Sequence, residues 1–237
     1  MAEEQKSEQE SKTDSLIYPK IETLWNRDDS TFKVKPQEFR WPEFALPTAW
    51  HVTEKIDGTN VRILLQSIPS VDSELPSSAV SYRGRTDATQ MPVVLFEALQ
   101  QMLPAPKVAA AFDPDTNVVL FGEAYGPKIQ KGGGLYRSGP GFRLFDVVVF
   151  GGDGRPWWLT WENVESVATK LGIHTVPVLA SAASLEEACV LVSGPSQTAD
   201  EDHGTGRDRE GIVARTEPPL FTRSGRRLIW KLKTKDL

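Results

Sequence analysis

The sequence is poor in cysteine and in long apolar segments, and both shortages narrow the class of protein. Cys189 is the single cysteine in 237 residues, which excludes an intramolecular disulfide and a zinc site built from several cysteines. No apolar run approaches the roughly 20 residues that cross a bilayer, and the N-terminus lacks the basic and then apolar layout of a signal peptide. We therefore expect an intracellular, cytoplasmic protein without a membrane partner.

The acidic excess is small and unevenly distributed. Twenty-seven lysines and arginines against 32 aspartates and glutamates give a net charge of −5, and five acids and two lysines within residues 1–14 supply −3 of it. The rest of the chain is close to neutral, which is compatible with a local basic surface for a polyanion. The first 14 residues contain no aromatic or branched aliphatic residue, so we predict a disordered acidic tail over residues 1–15.

The remaining sequence predicts an α+β fold with mostly antiparallel sheets flanked by helices. Its strand-like segments are rich in β-branched and aromatic residues, namely "HVTEK", "NVRILLQ", "AVSYRGR", "NVVLFGEAY", "FRLFDVVVF", "EGIVART" and "RRLIWKLK". Three segments have helical patterns: "PVVLFEALQQML", "WENVESVATKL" between Thr160 and Gly172, and "LEEACVLV" with Ser184 and Glu187 at capping-box spacing. The order shows no regular alternation of strand and helix.

Neither of the two glycine clusters matches a common nucleotide-binding loop. Gly132-Gly133-Gly134 and Gly151-Gly152 match neither G-x-x-x-x-G-K-[ST] nor G-x-G-x-x-G between a strand and a helix. A protein with this sequence that handles a nucleotide therefore does so through another fold.

One lysine has an unusual setting in the stretch "EKIDGTN", residues 54–60. A lysine amine attacks a phosphorus centre only when it is neutral, so a nucleophilic Lys55 needs nearby cations or desolvation. Lys231 and Lys233, two residues apart in "LIWKLKT", lie on the same face of a predicted strand and could supply that charge and bind phosphates. A K-x-K strand is also typical of a solvated sheet edge, and K-x-D-G by itself is a weak motif.

The full ordered set of motifs is more specific. After "KIDG" the sequence contains "SYRGRTD", "FGEAYG", "FRLFDV", "EGIVAR" and "WKLK". In this order the motifs resemble those of the covalent nucleotidyltransferases, the superfamily of ATP-dependent DNA and RNA ligases and mRNA capping enzymes. The similarity is greatest to the phage-type, nick-sealing RNA ligases, which share the glutamate before the lysine, the "GTN" after it, an R-T dipeptide and a Q-K-G loop. It extends from about Glu54 to Lys233.

The resemblance implies an ATP-grasp-like nucleotidyltransferase domain and a role for each matching residue. Lys55 is the expected nucleophile, which takes AMP from ATP and passes it to an RNA 5′-phosphate before a 3′-hydroxyl displaces it. Glu210 is the expected ligand of Mg²⁺ or Mn²⁺. The expected nucleotide-binding residues are Glu54 at the adenine, Asn60 and Arg85 at the ribose, phosphate or incoming 5′ end, Glu123 at the ribose, Phe145 stacked on the base, and Lys231 and Lys233 at the α-phosphate.

Purely structural interpretations stay open for several of these residues. Phe145 lies in a stretch apolar enough for a buried strand, so it could be a core residue only. Asp146 is expected to be a structural carboxylate, and Cys189 a packed thiol. Glu123 and Glu210 lie on apolar strands beside glycine, where a buried acid needs a partner or a metal.

Four residues follow Lys233, so the chain is expected to be a catalytic domain over residues 16–237, without a C-terminal oligonucleotide-binding or helical domain. We also expect a monomer. Its expected partner is RNA, as ends or a nicked duplex. Candidate contacts to the phosphate backbone are Lys128, Lys131, Arg137, Arg143, Arg223, Arg226 and Arg227, which could equally be solvated loop charges. The alternatives are a DNA ligase, a capping-type enzyme, and a protein that binds nicks without turnover.

Overall fold

The computed structural model describes residues 16–68, 77–151 and 153–237. The predicted disordered tail, residues 1–15, therefore lies outside the described residues. None of the helices in the described ranges has the length and apolar character needed to cross a bilayer. By its internal contacts the chain divides into two compact units, which are named below after their main sheets.

Within the described ranges the chain forms thirteen strands and five α-helices, numbered here in chain order. The strands are β1 (Glu22–Thr23), β2 (Trp25–Arg27), β3 (Val34–Phe39), β4 (Trp50–Lys55), β5 (Thr59–Ile68), β6 (Ser77–Gly84), β7 (Asn117–Tyr125), β8 (Gly141–Phe150), β9 (Pro156–Trp158), β10 (His174–Thr175), β11 (Val178–Ala183), β12 (Gly211–Arg215) and β13 (Ile229–Lys233). The helices are α1 (Val93–Met102), α2 (Ala105–Ala110), α3 (Trp161–Leu171), α4 (Leu185–Val190) and α5 (Gln197–Glu201).

The six-stranded unit comprises Gly58–Tyr125 and Pro140–Thr175 together with the segment that ends at Tyr18. Its strand order is β10-β8-β7-β5-β6, with β9 paired to β8, and all pairs are antiparallel except β10 with β8. The central strands are nearly continuous apolar runs, and the side chains of Val118–Phe121 are fully buried. Position 122 favours glycine, because a Cβ there would overlap the ring of Phe142 on the neighbouring strand.

The five-stranded unit comprises Pro19–Asp57, Gly126–Gly139 and Val176–Leu237. Its main sheet has the order β1-β13-β12-β4-β11, in which only β1 and β13 run parallel, and β2 and β3 form a separate two-stranded sheet. One face of the main sheet is built on Trp50, Val52, Ile212, Trp230 and Leu232, all fully buried. The sheet's other face is therefore left for polar residues of the same strands, because side chains alternate along a strand.

Two helix ends follow the predicted signals. Ser184 Oγ accepts a hydrogen bond from the Glu187 backbone N–H and the Glu187 carboxylate accepts one from the Ser184 N–H, so the predicted capping box is present at α4. Helix α3 ends at Gly172, whose φ of 56° is the left-handed conformation that glycine adopts at low cost. Cys189 of α4 packs against the apolar core of its unit, and burial raises the pKa of its thiol, as expected of a packed cysteine.

The α+β fold with mostly antiparallel sheets, and each of the seven predicted strands and three predicted helices, is confirmed. The sequence patterns missed the short strands β1, β2, β3, β9, β10 and β11, and the helices α2 and α5. These elements have at most six residues, too few for a period to be recognised. The extent of the catalytic domain stays a prediction.

Candidate active site

Three adjacent strands of the five-stranded unit align the predicted lysines. Lys55, the last residue of β4, lies opposite Gly211 of β12, and Gly211 in turn lies opposite Lys233 of β13. Directly opposed residues share a face of the sheet, so Lys55 and Lys233 project on the same side with only a glycine between them. Lys231, two residues before Lys233, lies on the same face.

Glu210, the residue before β12, joins two of these lysines. Its Oε2 lies 2.6 Å from Lys55 Nζ and its Oε1 lies 2.5 Å from Lys233 Nζ. The three side chains are 16 to 24% exposed, so solvent reaches the cluster only in part. One carboxylate therefore compensates two ammonium groups, and the cluster including Lys231 keeps an excess of positive charge.

The electrostatics of the cluster follow from burial and proximity. Burial opposes ionisation of Glu210, but the charges and hydrogen bonds of Lys55 and Lys233 outweigh it and hold the pKa of this carboxyl below its ordinary value. Burial, and then the charges of Lys55 and Lys233, lower the pKa of Lys231. A group of closely spaced, partly desolvated cations favours the binding of a polyphosphate, whose negative charge relieves their repulsion.

Gly211 makes this spacing attainable, and the sequence patterns did not single it out. Its φ of 154° lies in a region that side chains disfavour, and a Cβ on it would overlap the backbone at Leu232 and Lys233. A larger residue at position 211 would therefore push β13 away from β12. Its only sequence signal is the glycine directly after Glu210.

Glu54 lies on the opposite face of β4 from Lys55, as alternation along a strand requires. Its side chain is buried, with 1% exposed, and its carboxylate accepts hydrogen bonds from Ser196 Oγ at 2.5 Å and from the Thr198 backbone N–H at 3.2 Å. Ser196 also caps α5 through the Ala199 N–H. The carboxylate thus anchors the start of α5 to β4, and a contact of Glu54 with adenine stays a prediction.

This geometry predicts a stability loss for Glu54→Gln. The substitution replaces a buried charged acceptor by a neutral amide whose NH₂ faces one of the two donors, which costs about 1–3 kcal/mol in the free energy of unfolding. Urea titrations of the variant and of Glu38→Gln, an exposed glutamate that bonds Asn26, measure the difference. Unchanged stability together with a raised KM for ATP would instead support the adenine contact.

The turn after Lys55 contacts two residues that sequence reasoning missed as site residues. The backbone N–H of Asp57 donates to Tyr136 Oη at 2.9 Å, and Asp57 Oδ2 lies 3.6 Å from Arg207 Nη2. The guanidinium of Arg207 lies over the Tyr136 ring, 4.4 Å from its centroid. Both partners come from loops with no periodic pattern, so the sequence offers no signal for them.

Four predicted residues belong to the six-stranded unit. Asn60 of β5 lies directly opposite Glu123 of β7, so the two share a face of that sheet. Asn60 Oδ1 is buried and has no hydrogen-bond partner within the described part of the chain, which fits an amide that awaits a ligand. A Cβ at Gly58 would lie 2.8 Å from Cγ of Glu123, so the glycine of "KIDG" allows the close approach of these two segments.

The aromatic and arginine candidates of this unit differ in exposure. Phe145 of β8 is half-buried and contacts Tyr18 edge to face, with the ring centroids 5.0 Å apart. Asp146 is fully buried and accepts a hydrogen bond from Tyr18 at 2.8 Å, as expected of a structural carboxylate. Arg85 is exposed in the turn after β6, where the buried guanidinium of Arg62 bonds both the Gly84 carbonyl and the Asp87 carboxylate.

Two of the arginines suggested as RNA contacts are buried, and that interpretation of them is wrong. Arg143 is 2% exposed and donates to Tyr125 Oη and to the Thr175 carbonyl, at 3.0 and 3.2 Å. Arg227 is 8% exposed. Arg223 and Arg226 are exposed, and Arg226 lies over the ring of Trp41. The basic pattern in the sequence could not distinguish guanidinium groups that serve the interior from those that face solvent.

Within the described residues there is no group of three or more His, Cys, Asp or Glu side chains that could hold a metal ion. A site for a hard divalent cation does not need one, because Mg²⁺ commonly binds one or two carboxylates together with substrate phosphates and waters. Glu210 offers such a carboxylate among lysines that attract phosphates.

The fold and the lysine cluster together define a domain suited to binding nucleotide phosphates. Comparison with known families gives the narrower assignment: the family model for RNA ligases matches residues 48–233. The chain belongs to the RNA ligase family, and the predicted resemblance to a nucleotidyltransferase catalytic domain of this type is confirmed. No curated protein sequence matches it.

Solved structures of the Naegleria gruberi RNA ligase are similar in fold. The structure with PPi has a TM-score of 0.57 at 20% identity and covers 92% of this chain and 61% of that chain. A variant with AMP and Mn has a TM-score of 0.56 at 19% identity, with 94% and 62% covered, and a variant with ATP and Mn has 0.55 at 18%, with 93% and 62% covered. The present chain thus spans about three fifths of the length of those chains, and at this identity the likeness shows the fold.

Proposed function

We propose that this protein is an ATP-dependent RNA ligase that joins 3′-hydroxyl and 5′-phosphate ends through an AMP group carried on Lys55. The observation that carries the proposal is the ion-pair cluster in which Glu210 joins Lys55 to Lys233, with Lys231 on the same face. Membership of the RNA ligase family supports it. An amine, a phosphate-binding pair of cations and a carboxylate are the groups that nucleotidyl transfer requires.

The chemistry has three transfers. The neutral Lys55 amine attacks the α-phosphorus of ATP, a P–N bond forms, the bond to the β-phosphate oxygen breaks, and pyrophosphate leaves. An RNA 5′-phosphate oxygen then attacks the same phosphorus and releases Lys55. Finally the 3′-hydroxyl attacks the activated 5′-phosphate, which forms the phosphodiester and releases AMP. Lys231 and Lys233 would bind the α-phosphate and compensate its growing negative charge.

Glu210 would take part in two ways. In the ligand-free protein its carboxylate compensates the Lys55 ammonium, and the lysine has to lose a proton before it attacks. The same carboxylate would hold Mg²⁺ or Mn²⁺, which supplies charge neutralisation at the phosphates.

The other assignments are proposals for their own segments. Asn60 and Glu123, opposed on β5 and β7, would contact the ribose, and the unpartnered amide oxygen of Asn60 supports this role. Phe145 would stack on the base, for which its partial exposure leaves room. Arg85 would contact the phosphate or the incoming 5′ end, and its exposed turn supports this. The Glu54 carboxylate already accepts hydrogen bonds from within the protein. Glu54 would therefore help to fix the adenine by holding its strand in place rather than by a direct contact of the carboxylate.

The test of the proposal is covalent labelling. Incubation with ATP labelled at the α-phosphate, in Mg²⁺ or Mn²⁺, is expected to give a labelled protein that loses its label on addition of pyrophosphate or of RNA with a 5′-phosphate. Labelled protein followed by joined RNA supports a ligase. Binding of nicked duplexes without any labelled protein contradicts the proposal and leaves a nick-binding protein.

A panel of nicked duplexes separates the remaining alternatives. RNA or DNA on each side of the break distinguishes an RNA ligase from a DNA ligase, and labelled GTP tests a capping-type reaction. We further propose that the protein acts as a monomer inside the cell on RNA ends or nicked duplexes. The single cysteine supports a reducing compartment. Light scattering at assay concentrations would measure the oligomeric state.

A further inference from the structure

The turn that follows Lys55 is fixed at both its backbone and its side chain. Its backbone N–H at Asp57 donates to Tyr136, and its carboxylate at Asp57 pairs with Arg207. All of these residues belong to the five-stranded unit. Neither Tyr136 nor Arg207 is part of the motifs from which the site was predicted.

Tyr136 and Arg207 also support one another. The guanidinium of Arg207 lies 4.4 Å from the centroid of the Tyr136 ring, within the range of a cation–π interaction. Arg207 is 17% exposed at its side chain and Tyr136 is fully buried, so the contact is largely shielded from water. Arg207 Nη1 also donates to the Gly132 carbonyl at 3.5 Å, which joins the loop of Tyr136 to that of Arg207.

The two loops have little freedom to shift. A Cβ at Gly204 would overlap the carbonyl oxygens of Leu135 and Tyr136, and one at Gly133 would overlap that of Gly126. Backbones that approach this closely form a packed support, because any displacement creates either an overlap or a cavity. The Tyr136 hydroxyl is therefore presented at a defined position.

The protonation of Tyr136 suits it to this role. Burial is the main cause that raises its pKa to about 12, so the hydroxyl is neutral throughout the physiological range. A neutral hydroxyl accepts the Asp57 N–H without placing a negative charge near the Asp57 carboxylate.

The contacts of Tyr136 and Arg207 with Asp57 affect Lys55 through the two peptide units that join Lys55 to Asp57. Lys55 is the last residue of β4, and its Nζ lies 3.4 Å from the Ile56 carbonyl as well as 2.6 Å from Glu210. The position of the amine therefore depends on the course of residues 56 and 57. We propose that Tyr136 and Arg207 are positioning residues that fix this turn and so aim Lys55 at the α-phosphorus, an inference that rests on the proposed function.

The test compares Tyr136→Phe and Arg207→Gln with two matched controls. Tyr82→Phe removes a hydroxyl that donates to the Leu103 carbonyl, and Arg155→Gln removes an exposed guanidinium paired with Asp153. At saturating ATP the single-turnover rate of Lys55 adenylylation should fall about 10- to 100-fold in the first two variants, the cost of misplacing a reacting group by about 1 Å. The KM for ATP should change less than about 3-fold, and the controls should react as the wild type does.

Further variants and a second measurement keep the proposal falsifiable. The double variant Asp57→Asn with Arg207→Gln should react no more slowly than Arg207→Gln alone, because both substitutions remove the same ion pair. Rate losses that multiply in the double variant would contradict the proposal. Mass spectrometry of amine labelling should show Lys55 modified faster, relative to Lys35, in Tyr136→Phe and unchanged in Tyr82→Phe. Lys55 labelling that is unchanged in Tyr136→Phe, or an effect of the substitutions that is confined to the KM for ATP, also overturns the proposal. A wild type without an AMP adduct removes the proposed function, while Lys55 labelling still tests the support of the turn.

Discussion

Lys55→Ala is expected to abolish the covalent AMP adduct, with a fall in adenylylation rate of at least about 1,000-fold, the scale seen when a nucleophile is removed. The reason is chemical: in the proposed mechanism the P–N bond forms at Lys55 Nζ, and neither of the neighbouring lysines lies at the end of β4. Lys55→Arg is the sharper variant: it keeps a positive charge beside Glu210 but offers a guanidinium that stays protonated and does not attack phosphorus. Both variants should be equally inactive in the labelling assay.

Lys35→Ala is the matched control for this prediction. Lys35 lies in the same unit, is 46% exposed and pairs loosely with Asp28 at 3.7 Å, so its loss should leave labelling unchanged. An AMP adduct of normal yield in Lys55→Ala would show that another residue is the nucleophile, and peptide mapping of the adduct would identify it. RNA supplied with a preformed 5′-adenylate bypasses the first transfer, so Lys55→Ala should still join it.

Glu210→Gln is expected to slow adenylylation by about 100-fold or more. The amide keeps the size of the side chain but cannot compensate Lys55 and Lys233 together, so the two ammonium groups repel and the amine leaves its reactive position. It is also a much weaker ligand for a hard cation, so the variant should need a higher concentration of Mg²⁺ or Mn²⁺ for its half-maximal rate. Initial rates as a function of metal concentration measure both effects.

Glu217→Gln supplies the control, because Glu217 is 20% exposed, belongs to the same unit and pairs with Arg215 at 2.9 Å. Stability gives a second readout with a defined sign. The pKa of Glu210 is lowered from 4.5, so its contribution to stability is present at neutral pH and is lost as pH falls through the folded-state pKa. The difference in unfolding free energy between wild type and Glu210→Gln should shrink below pH 4.5. An activity equal to that of the wild type at every metal concentration would remove Glu210 from the mechanism.

The strands that carry the site were predictable because their signals are local. "NVVLFGEAY" and "FRLFDVVVF" are dense in β-branched and aromatic residues, and the structure forms strands over Asn117–Tyr125 and Gly141–Phe150. The common face of Lys231 and Lys233 follows from the two-residue period alone. The loops around Tyr136 and Arg207 have no such period, so their contacts with Asp57 could not be read from the sequence.

Side-chain environments were predicted less well than strands. Arg143 was a candidate phosphate contact because it carries a positive charge, but in the structure it is 2% exposed and bonds Tyr125 and Thr175. The carboxylate of Glu54 likewise bonds Ser196 and Thr198, which are distant in sequence. In both cases the deciding partner comes from another part of the chain, and a single sequence does not specify it.

The sequence by itself determined the strands that carry the site, the order of the motifs and the family to which they point. It did so because propensity, alternation and motif spacing act over a few residues. The tertiary structure alone decided that Glu210 compensates both Lys55 and Lys233, because this contact depends on the register of β4, β12 and β13. That register is set by backbone hydrogen bonds and packing between segments far apart in the chain, with Gly211 keeping the strands close.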